Sequence, residues 1–467
     1  MVMSHSLGAT SLELNDALKR LEKFTLSKIP KKILSALGND AQLHLVGGAV
    51  RDTILKSQIK KSKIDIDLAT GLHPEEVCKR LSDQKIHWIP TGIEHGTVLA
   101  VVDDTHIEIT TFRIPGSREL GGSNPRYSDS IEIDLSGRDF TINAIAYSLE
   151  KRILIDPFSG IEDLKSNTIR AINDPTIRFK EDPLRILRMV RFGHAQGRTV
   201  EETTWQAALS LISSLATISM ERIRDEFLKI LISDYPENSL RALKELKALD
   251  LIIPEIVPSY DFEQNEYHRF DVFEHTLEVI KNTPQDLLLR LTALFHDLGK
   301  PHTLSVGDDE RRHFYKHEIV SADLTKKALK RLLLPNSVIK EVSLLVRLHM
   351  RPIGCGPAGI RRLIRDLDQL LNPWLKFKEA DALGAKVKLS DFESEKKRFI
   401  DLLKIEQART TNFLKLAITG QDLISLGAIE GPILGNVLNA LKEMVLNDPS
   451  LNTKEALLRL AKEKLVS

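Results

Sequence analysis

Asp65 and Asp67, in the run Ile64-Asp65-Ile66-Asp67-Leu68, have the spacing of two carboxylates on one face of a strand. Side chains alternate along a strand, so the two acids project together, about 6.5–7 Å apart at Cα, while Ile64, Ile66 and Leu68 turn to the other face. Carboxylates held this way can bind one or two Mg²⁺ ions, which is what group transfer from a nucleoside triphosphate requires. Upstream, Gly47-Gly48 ends a short apolar stretch just before a helix start, with Arg51 in reach. Glycines have no Cβ, so backbone N–H groups there can approach triphosphate oxygens closely. Downstream, His106-Ile107-Glu108-Ile109 reads as a further strand with Glu108 opposite its apolar neighbours, able to join the metal site. A chain with 65 acidic residues contains several Asp-x-Asp pairs by chance. The informative feature is the order: paired glycines, paired acids, then a single acid.

A second set begins at Glu181-Asp182-Pro183-Leu184-Arg185. Asp182 before Pro183 predicts an N-cap followed by a first-turn proline, so a helix starts here. Arg185, Arg188 and Arg191 recur every third residue and drift about 60° per step, making one slanting basic stripe beside an apolar one of Leu184, Leu187 and Val190. By spacing alone, three such arginines also fit a solvated charged face. The stretch Gly137-Arg138-Asp139-Phe140-Thr141-Ile142-Asn143-Ala144 equally fits a capped helix start in which Asp139 satisfies backbone donors. Glu221-Arg222-Ile223-Arg224-Asp225-Glu226 lies on an amphipathic helix and is read as a brace for the arginine helix.

A third set is rich in histidine. Phe273-Glu274-His275 precedes a helix, and an apolar helix from Leu289 to Leu298 closes on His296-Asp297, with Gly299-Lys300-Pro301 after it. His317, His349 and Asp381 follow at long intervals. A lone histidine on an apolar face is usually a satisfied core residue, but a His-Asp doublet ending a buried helix needs partners or a metal.

These residues need elements to position them. The 467 residues allow about three domains. A 42% hydrophobic, 28% charged composition is that of an ordinary globular chain, and a net charge of +1 argues against wholesale electrostatic binding of nucleic acid. RNA contacts must therefore come from local basic faces. Cys78 and Cys355 are too few for a disulfide framework or a four-cysteine zinc site. The N-terminal MVMSHSLGATS lacks an apolar signal core, and no run approaches about 18 apolar residues, so the expectation is a cytoplasmic protein with no membrane attachment. The expected fold class is α+β, a small mixed-sheet head followed by an elongated all-α region. The expected segments are a helical extension at 1–40, with Leu12, Leu14, Leu18, Leu21 and Phe24 at helical spacing; a head at 41–165; a helical neck at 166–264; a histidine-bearing helical domain at 265–400; and a turn-rich helical tail at 401–467. Within the head, a helix is expected from Pro74 to Leu81, with strands at Thr97–Asp103 and His106–Phe112. The Gly-, Pro- and Ser-rich stretch from Arg113 to Asp129 is read as a mobile loop.

The order of glycines and acids is the plan of the DNA polymerase β-type nucleotidyltransferases. The words GGAVRD, DIDLAT, GIEHGTV, EITTFR, GRDFTINA and EDPLR resemble the class II tRNA nucleotidyltransferase and bacterial poly(A) polymerase family. That resemblance, running from residue 41 to 465, implies a polymerase-β-like head with Mg²⁺ on Asp65 and Asp67 and Glu108 as a third acid. It implies a nucleotide held by Gly47, Gly48, Arg51, Arg138 and Asp139, the last at the ribose hydroxyl. Asp182 and Arg185 become a protein template for the base, the carboxylate accepting from an exocyclic amine and the guanidinium donating to ring acceptors; cytosine and adenine both offer that pair. Arg188 and Arg191 then hold phosphate or orient the reading pair. Gly137 departs from the family, standing where many members have an arginine, and 113–129 lacks the usual acidic-aromatic wording. The histidine set resembles the HD superfamily of metal-dependent phosphohydrolases. By that resemblance His275, His296, Asp297 and Asp381 ligate a divalent transition metal, with His317 and His349 completing a wider site. The tail resembles the tRNA-holding C-terminal domain of bacterial tRNA nucleotidyltransferases, and LLRLAKEKLVS is not the strongly basic extension of the poly(A) polymerases. The implied activity is addition of C, C and A to tRNA 3′ ends from CTP and ATP, beside an HD phosphohydrolase activity. The alternatives are an A-adding or CC-adding specialist, a poly(A) polymerase, a hydrolase with an inactive head, and an RNA-binding chaperone.

Overall fold

The computed structural model describes residues 11–55, 66–90, 92–116, 125–264, 270–308, 310–385, 389–409, 413–428 and 430–466. The chain forms two compact units, Met1–Leu251 and Ile252–Ser467. The first is built on a mixed sheet of seven strands: β1 (His44–Val46), β2 (Ile66–Thr70), β3 (His87–Ile89), β4 (Thr97–Val102), β5 (Thr105–Thr111), β6 (Ala146–Ser148) and β7 (Leu154–Ile155). Their order is β3-β4-β5-β2-β1-β6-β7. β2 and β5 pair in parallel, and their other neighbours are antiparallel. Alternation governs which residues go inside: β5 buries Ile107, Ile109 and Thr111 and leaves His106 and Glu108 exposed, while β4 buries Val98, Ala100 and Val102. The sheet is larger than the sequence suggested because β1, β6 and β7 extend it beyond β2.

The N-terminal segment is two helices rather than one, Ser11–Thr25 and Lys28–Leu37. Arg20 Nε donates to the Thr53 carbonyl at 3.2 Å, tying the first to the helix Gly48–Ile54. Arg80, on the helix Pro74–Asp83, donates to Asp40 at 2.7 and 2.8 Å and to the Leu37 carbonyl, fastening the second.

The helical part of this unit includes Pro175–Glu181, Leu184–Phe192 and Met220–Leu231. Leu184–Phe192 starts one residue later than its sequence suggested: Pro183 is the N-cap, and Asp182 closes the preceding helix while its carboxylate accepts from Leu184 N–H at 3.2 Å. The expected apolar stripe of Leu184, Leu187 and Val190 is buried, and Met220–Leu231 packs against the helix, burying Ile223, Phe227 and Ile230.

The second unit is helical, with Val272–Lys281, Leu287–Phe295, His317–Arg331, Asn336–Arg347 and Leu371–Gly384 forming its first part. His275 lies inside the first of these helices, not ahead of it. The tail helices Gly420–Ser425, Pro432–Asn447 and Lys454–Val466 share an apolar core that includes Leu423, Leu441, Val445 and Leu457. Among the described residues, no helix is long and apolar enough to cross a membrane. Arg361, on the helix Pro357–Leu367, fastens the tail: it donates to Glu406 at 2.8 Å and to the carbonyls of Leu446 and Asn447 at 2.6 and 2.8 Å. Those carbonyls close a helix and have no partner within it. Arg361→Ala is predicted to cost about 3 kcal/mol, because it leaves the buried Glu406 carboxylate only the half-exposed Arg409, at 3.1 Å, and frees the two helix-end carbonyls. Glu443→Ala, which removes the half-exposed partner of Arg362 and Arg365, should cost under about 1 kcal/mol. Urea unfolding of the two variants followed at the buried Trp374 checks the contrast, and equal losses would contradict it.

Candidate functional site

Asp67 and Glu108 are register partners across β2 and β5, so their carboxylates leave the same face of the sheet side by side. Adjacent strands lie about 4.8 Å apart, and two like charges at that spacing favour a shared cation. The Asp65 expectation lies outside the described residues, as do Ile64 and the middle of the 113–129 loop. Gly47 has φ +70°, a left-handed conformation that favours glycine, and a Cβ there would sit 3.1 Å from Asp67 Oδ2 and 3.5 Å from Arg138 Nη1. The glycine therefore makes the turn from β1 into Gly48–Ile54 and also clears space for the acid.

Gly47, Gly48, Arg51, Asp67, Glu108, Arg138, Asp139, Asp182, Arg185, Arg188 and Arg191 line one cavity. Apart from Asp65, every residue the sequence assigned to the nucleotide site faces this space. The arginine stripe is not a solvated face. Arg188 holds Asp139 Oδ2 through Nε and Nη2 at 2.7 and 2.6 Å, and Arg191 Nε donates to Glu226 at 2.6 Å. Glu226 is buried, in keeping with the bracing role read from its helix. The Phe192 ring has the guanidinium carbons of Arg191, Arg51 and Arg188 at 4.0, 5.1 and 5.2 Å from its centroid, within cation–π range.

Asp139 accepts a backbone N–H, as its spacing allowed, and also holds Arg188. Its Oδ1 accepts from Phe140 N–H and Asn143 Nδ2, both at 2.9 Å, bracing the turn Thr141–Asn143, while Oδ2 takes Arg188. Asn143 Oδ1 in turn accepts from Arg51 Nη1 at 2.7 Å. Burial opposes the Asp139 charge, but the Arg188 guanidinium and the Asn143 amide outweigh it and hold the carboxyl below the usual range. This pairing contributes stability that is fully present above the free-carboxylate value of about 3.9 and is lost as pH falls through the lower folded value. For Arg191 burial prevails over Glu226 and pushes the guanidinium down.

The base-reading candidates have partners that the sequence did not disclose. Asp182 Oδ2 accepts from Arg222 at 2.8 Å. Arg185 donates to Glu181 at 2.8 Å and to the carbonyls of Arg178 and Gly137 at 3.1 and 3.0 Å. Glu181 and Arg222 lie within the EDPLR and ERIRDEF words, the signal by which they could have been found. Arg198, which lines the same cavity, has no such signal.

In the second unit the histidine set converges. His275 and His296 have Nε2 atoms 3.4 Å apart, and His317 and His349 have theirs 3.1 Å apart. Asp297 bridges the two pairs, with Oδ2 3.2 Å from His296 Nε2 and Oδ1 3.3 Å from His317 Nε2, while Asp381 Oδ1 lies 3.4 Å from His275 Nε2. The triads His275, His296, Asp297 and Asp297, His317, His349 each gather ligand atoms within 4.8 Å. Gly299 permits this closeness, since a Cβ there would lie 2.3 Å from the His317 carbonyl. Nδ1 of His296, His317 and His349 faces the carbonyls of Ala293, Phe314 and Val346 at 2.8, 2.7 and 2.6 Å. These contacts make Nδ1 the protonated nitrogen and turn Nε2 lone pairs toward one another, an arrangement that repels unless a cation lies between. Imidazoles with carboxylates fit a divalent transition metal better than Mg²⁺. Burial opposes charge at His296, but Asp297 overrides it and holds the ring above its usual value; burial pushes His349 down.

Fold and site together define a nucleotidyltransferase head and a helical HD-type metal centre within one chain. The Poly A polymerase head domain model matches residues 43–170, the model of the probable RNA and SrmB-binding site of polymerase A matches 197–259, and the HD domain model matches 267–385. The A-adding tRNA nucleotidyltransferase of Deinococcus radiodurans is 35% identical over 331 residues, 67% of this chain and 75% of its own. The CCA-adding enzyme of Pediococcus pentosaceus is 31% identical over 420 residues, 88% of this chain and 91% of its own. The crystal structure of the Bacillus stearothermophilus CCA-adding enzyme in complex with CTP superimposes with a TM-score of 0.67 at 25% identity, covering 98% of this chain and 99% of that one. The chain belongs to the class II tRNA nucleotidyltransferase family, that of the CCA-adding enzymes, with an HD domain.

Glu226→Gln removes the counter-charge of Arg191 and part of that of Arg188. A loss of about 1–3 kcal/mol in urea unfolding is expected, since the partly buried Arg191 guanidinium, its side chain 19% exposed, is left without its carboxylate. A change under about 0.5 kcal/mol would show that Glu226 is not the brace.

Proposed function

We propose that this protein adds C, C and A in turn to the 3′ end of tRNA in the cytoplasm, drawing on CTP and ATP and releasing pyrophosphate. The observation that carries this reading is the convergence of the sheet acids Asp67 and Glu108 with the Asp182 and Arg185 pair on one cavity. The tRNA 3′-hydroxyl attacks the α-phosphate of the bound nucleotide. Asp65 and Asp67 hold Mg²⁺, with Glu108 as a third acid, and the ion when bound supplies positive charge against the triphosphate. Gly47 and Gly48 offer backbone N–H groups to the phosphates, with Arg51 and Arg138 beside them. Asp182 and Arg185 read the base. Asp139 has its four acceptor sites taken by Phe140, Asn143 and Arg188, which supports an orienting role through Arg188 ahead of direct contact with the ribose. Catalysis is then chiefly positioning and electrostatic stabilisation.

A second reading, addition of A alone, is favoured by the Deinococcus radiodurans relative. Purified protein given tRNAs that end before, within and one residue short of the CCA tail, with CTP or ATP singly, separates the two. Stepwise C, C and A addition is expected; extension only of the CC-ended tRNA by ATP would replace the first reading with the second. Asp67→Ala should lower turnover by at least about 100-fold while tRNA affinity holds. Tight tRNA binding by a wild type that turns nothing over would leave an RNA-binding protein.

We also propose that the second site binds a divalent transition ion on His275, His296, Asp297 and Asp381, with His317 and His349 widening it, and hydrolyses a phosphoester. The ion when bound activates water and meets the departing charge. The facing imidazole nitrogens support this. His296→Ala with Asp297→Ala should abolish both metal content, measured by elemental analysis, and metal-stimulated hydrolysis while transfer to tRNA continues. Equal loss of both activities would refute two independent sites.

A further inference from the structure

We infer that Arg198 forms a phosphate-oxyanion subsite in the head cavity, additional to the donors of the motif residues; the inference rests on the nucleotide-transfer reading of that cavity. Arg198 follows Gly197, which turns the chain at φ +68°, and precedes the short strand Thr199–Val200. The residue is 9% exposed, yet it lines the same cavity as Asp67, Glu108 and Arg185. Its Nη1 donates to the Phe192 carbonyl at 2.9 Å and to the Gln196 side-chain oxygen. Both acceptors are neutral.

That sets Arg198 apart. Six other guanidiniums lining the cavity each have a carboxylate within ion-pair distance, from Arg51 on Asp52 to Arg222 on Asp182. Among the described residues Arg198 has none. A buried cation without a counter-charge is costly, and an incoming anion relieves the cost. Burial and the nearby Arg51 push its pKa down to about 10, against the weaker pull of Asp52, so it stays charged at neutral pH. Nη1 uses two of the five guanidinium N–H groups, and Nε and Nη2 retain three for an anion.

The position suits a phosphate. Arg51 Nη2 lies 3.6 Å from where a Gly48 Cβ would be, next to the backbone proposed to cradle the triphosphate. Arg198 lines the same cavity as the glycines and Arg51, and so adds a donor to those they offer there. Two phosphates can reach these donors: the triphosphate of the incoming nucleotide and the terminal phosphodiesters of tRNA. The oxyanion chemistry is the same for both.

The test compares wild type, Arg198→Gln and Arg198→Lys for binding of inorganic tripolyphosphate by calorimetry, for tRNA binding by filter retention, and for the KM of CTP and of tRNA. Loss of a charge-assisted hydrogen bond should weaken the bound phosphate about tenfold in the Gln variant, with partial rescue by Lys. Weaker tripolyphosphate and CTP binding with unchanged tRNA binding assigns the subsite to the nucleotide. Weaker tRNA binding with unchanged tripolyphosphate binding assigns it to the tRNA end. If a folded Gln variant binds both as wild type does, Arg198 is a structural strut and the inference is overturned. Should the Gln variant fail to fold, the Lys variant decides, because it keeps the charge but loses the fork: at least about threefold weaker binding is expected, and none would overturn the subsite. Tripolyphosphate binding needs no turnover. A wild type that binds it, loses that binding in the Gln variant and extends no tRNA would sink the transfer reading and spare the subsite.

Discussion

Guanidiniums crowded around one phenyl ring repel one another, and the head cavity exists because two buried carboxylates absorb that repulsion. Asp139 takes Arg188 through two nitrogens, and Glu226 takes Arg191 and reaches Arg188 at 3.7 Å. Phe192 adds its ring face beneath Arg51, Arg188 and Arg191. Each cation–π contact contributes only about 0.5–2 kcal/mol, whereas an uncompensated buried charge costs several, so the carboxylates decide whether the stripe can be buried at all. Asp139 belongs to the turn that leads into β6 and Glu226 to the helix Met220–Leu231. The neutralisation thus fixes the arginine helix from two sides.

Much of this was legible in the sequence, for reasons that differ by element. β4 and β5 were readable because half-buried strands must alternate, and the pairing of Asp67 with Glu108 followed from two alternating patterns meeting in one sheet. The arginine helix was readable through its apolar stripe. The partners were not, since Arg222 reaches Asp182 across 40 residues and Arg188 reaches Asp139 across 49. Pattern within a window has no term for such contacts. Arg198 is the extreme case: a single arginine after a glycine looks like any exposed turn, and only the packed structure shows it buried. The start of the Leu184–Phe192 helix was misplaced by one residue because Asp182 can cap through its side chain while its backbone already closes the preceding helix.

The two sites solve the problem of concentrated charge in opposite ways. In the head, positive charge is largely neutralised by protein carboxylates, leaving selected donors open to a substrate that is itself an anion. In the HD cluster, backbone carbonyls fix the imidazole tautomers so that Nε2 lone pairs and carboxylate oxygens face inward, leaving an excess of acceptors. Lys300 meets part of it, with Nζ 2.6 Å from Asp297 Oδ2 and 2.7 Å from Gln264. Lys378 Nζ lies 4.0 Å from Asp381 Oδ2. The two ammoniums offset the two carboxylates but leave the facing Nε2 atoms of four imidazoles, a donor set that suits a cation from outside the chain.

The base-reading role proposed for Arg185 and Asp182 demands that both groups be held firmly while keeping some valence unspent. Arg185 meets both conditions: three bonds, to Glu181, Arg178 and Gly137, use two hydrogens of Nη1 and one of Nη2, leaving Nε–H and one Nη2–H for ring acceptors. Asp182 spends one acceptor site on Leu184 N–H and one on Arg222, keeping two for an exocyclic amine. The bonds that position each side chain are thus separate from those that would meet a base. Arg222 is half-exposed, so its ion pair with Asp182 is worth at most about 1 kcal/mol and can give way at little cost. The anchors of Arg185 are more buried and would persist. In the proposed template Arg185 would be the rigid donor and Asp182 the adjustable acceptor, a division that suits bases of different size sharing one donor–acceptor pattern.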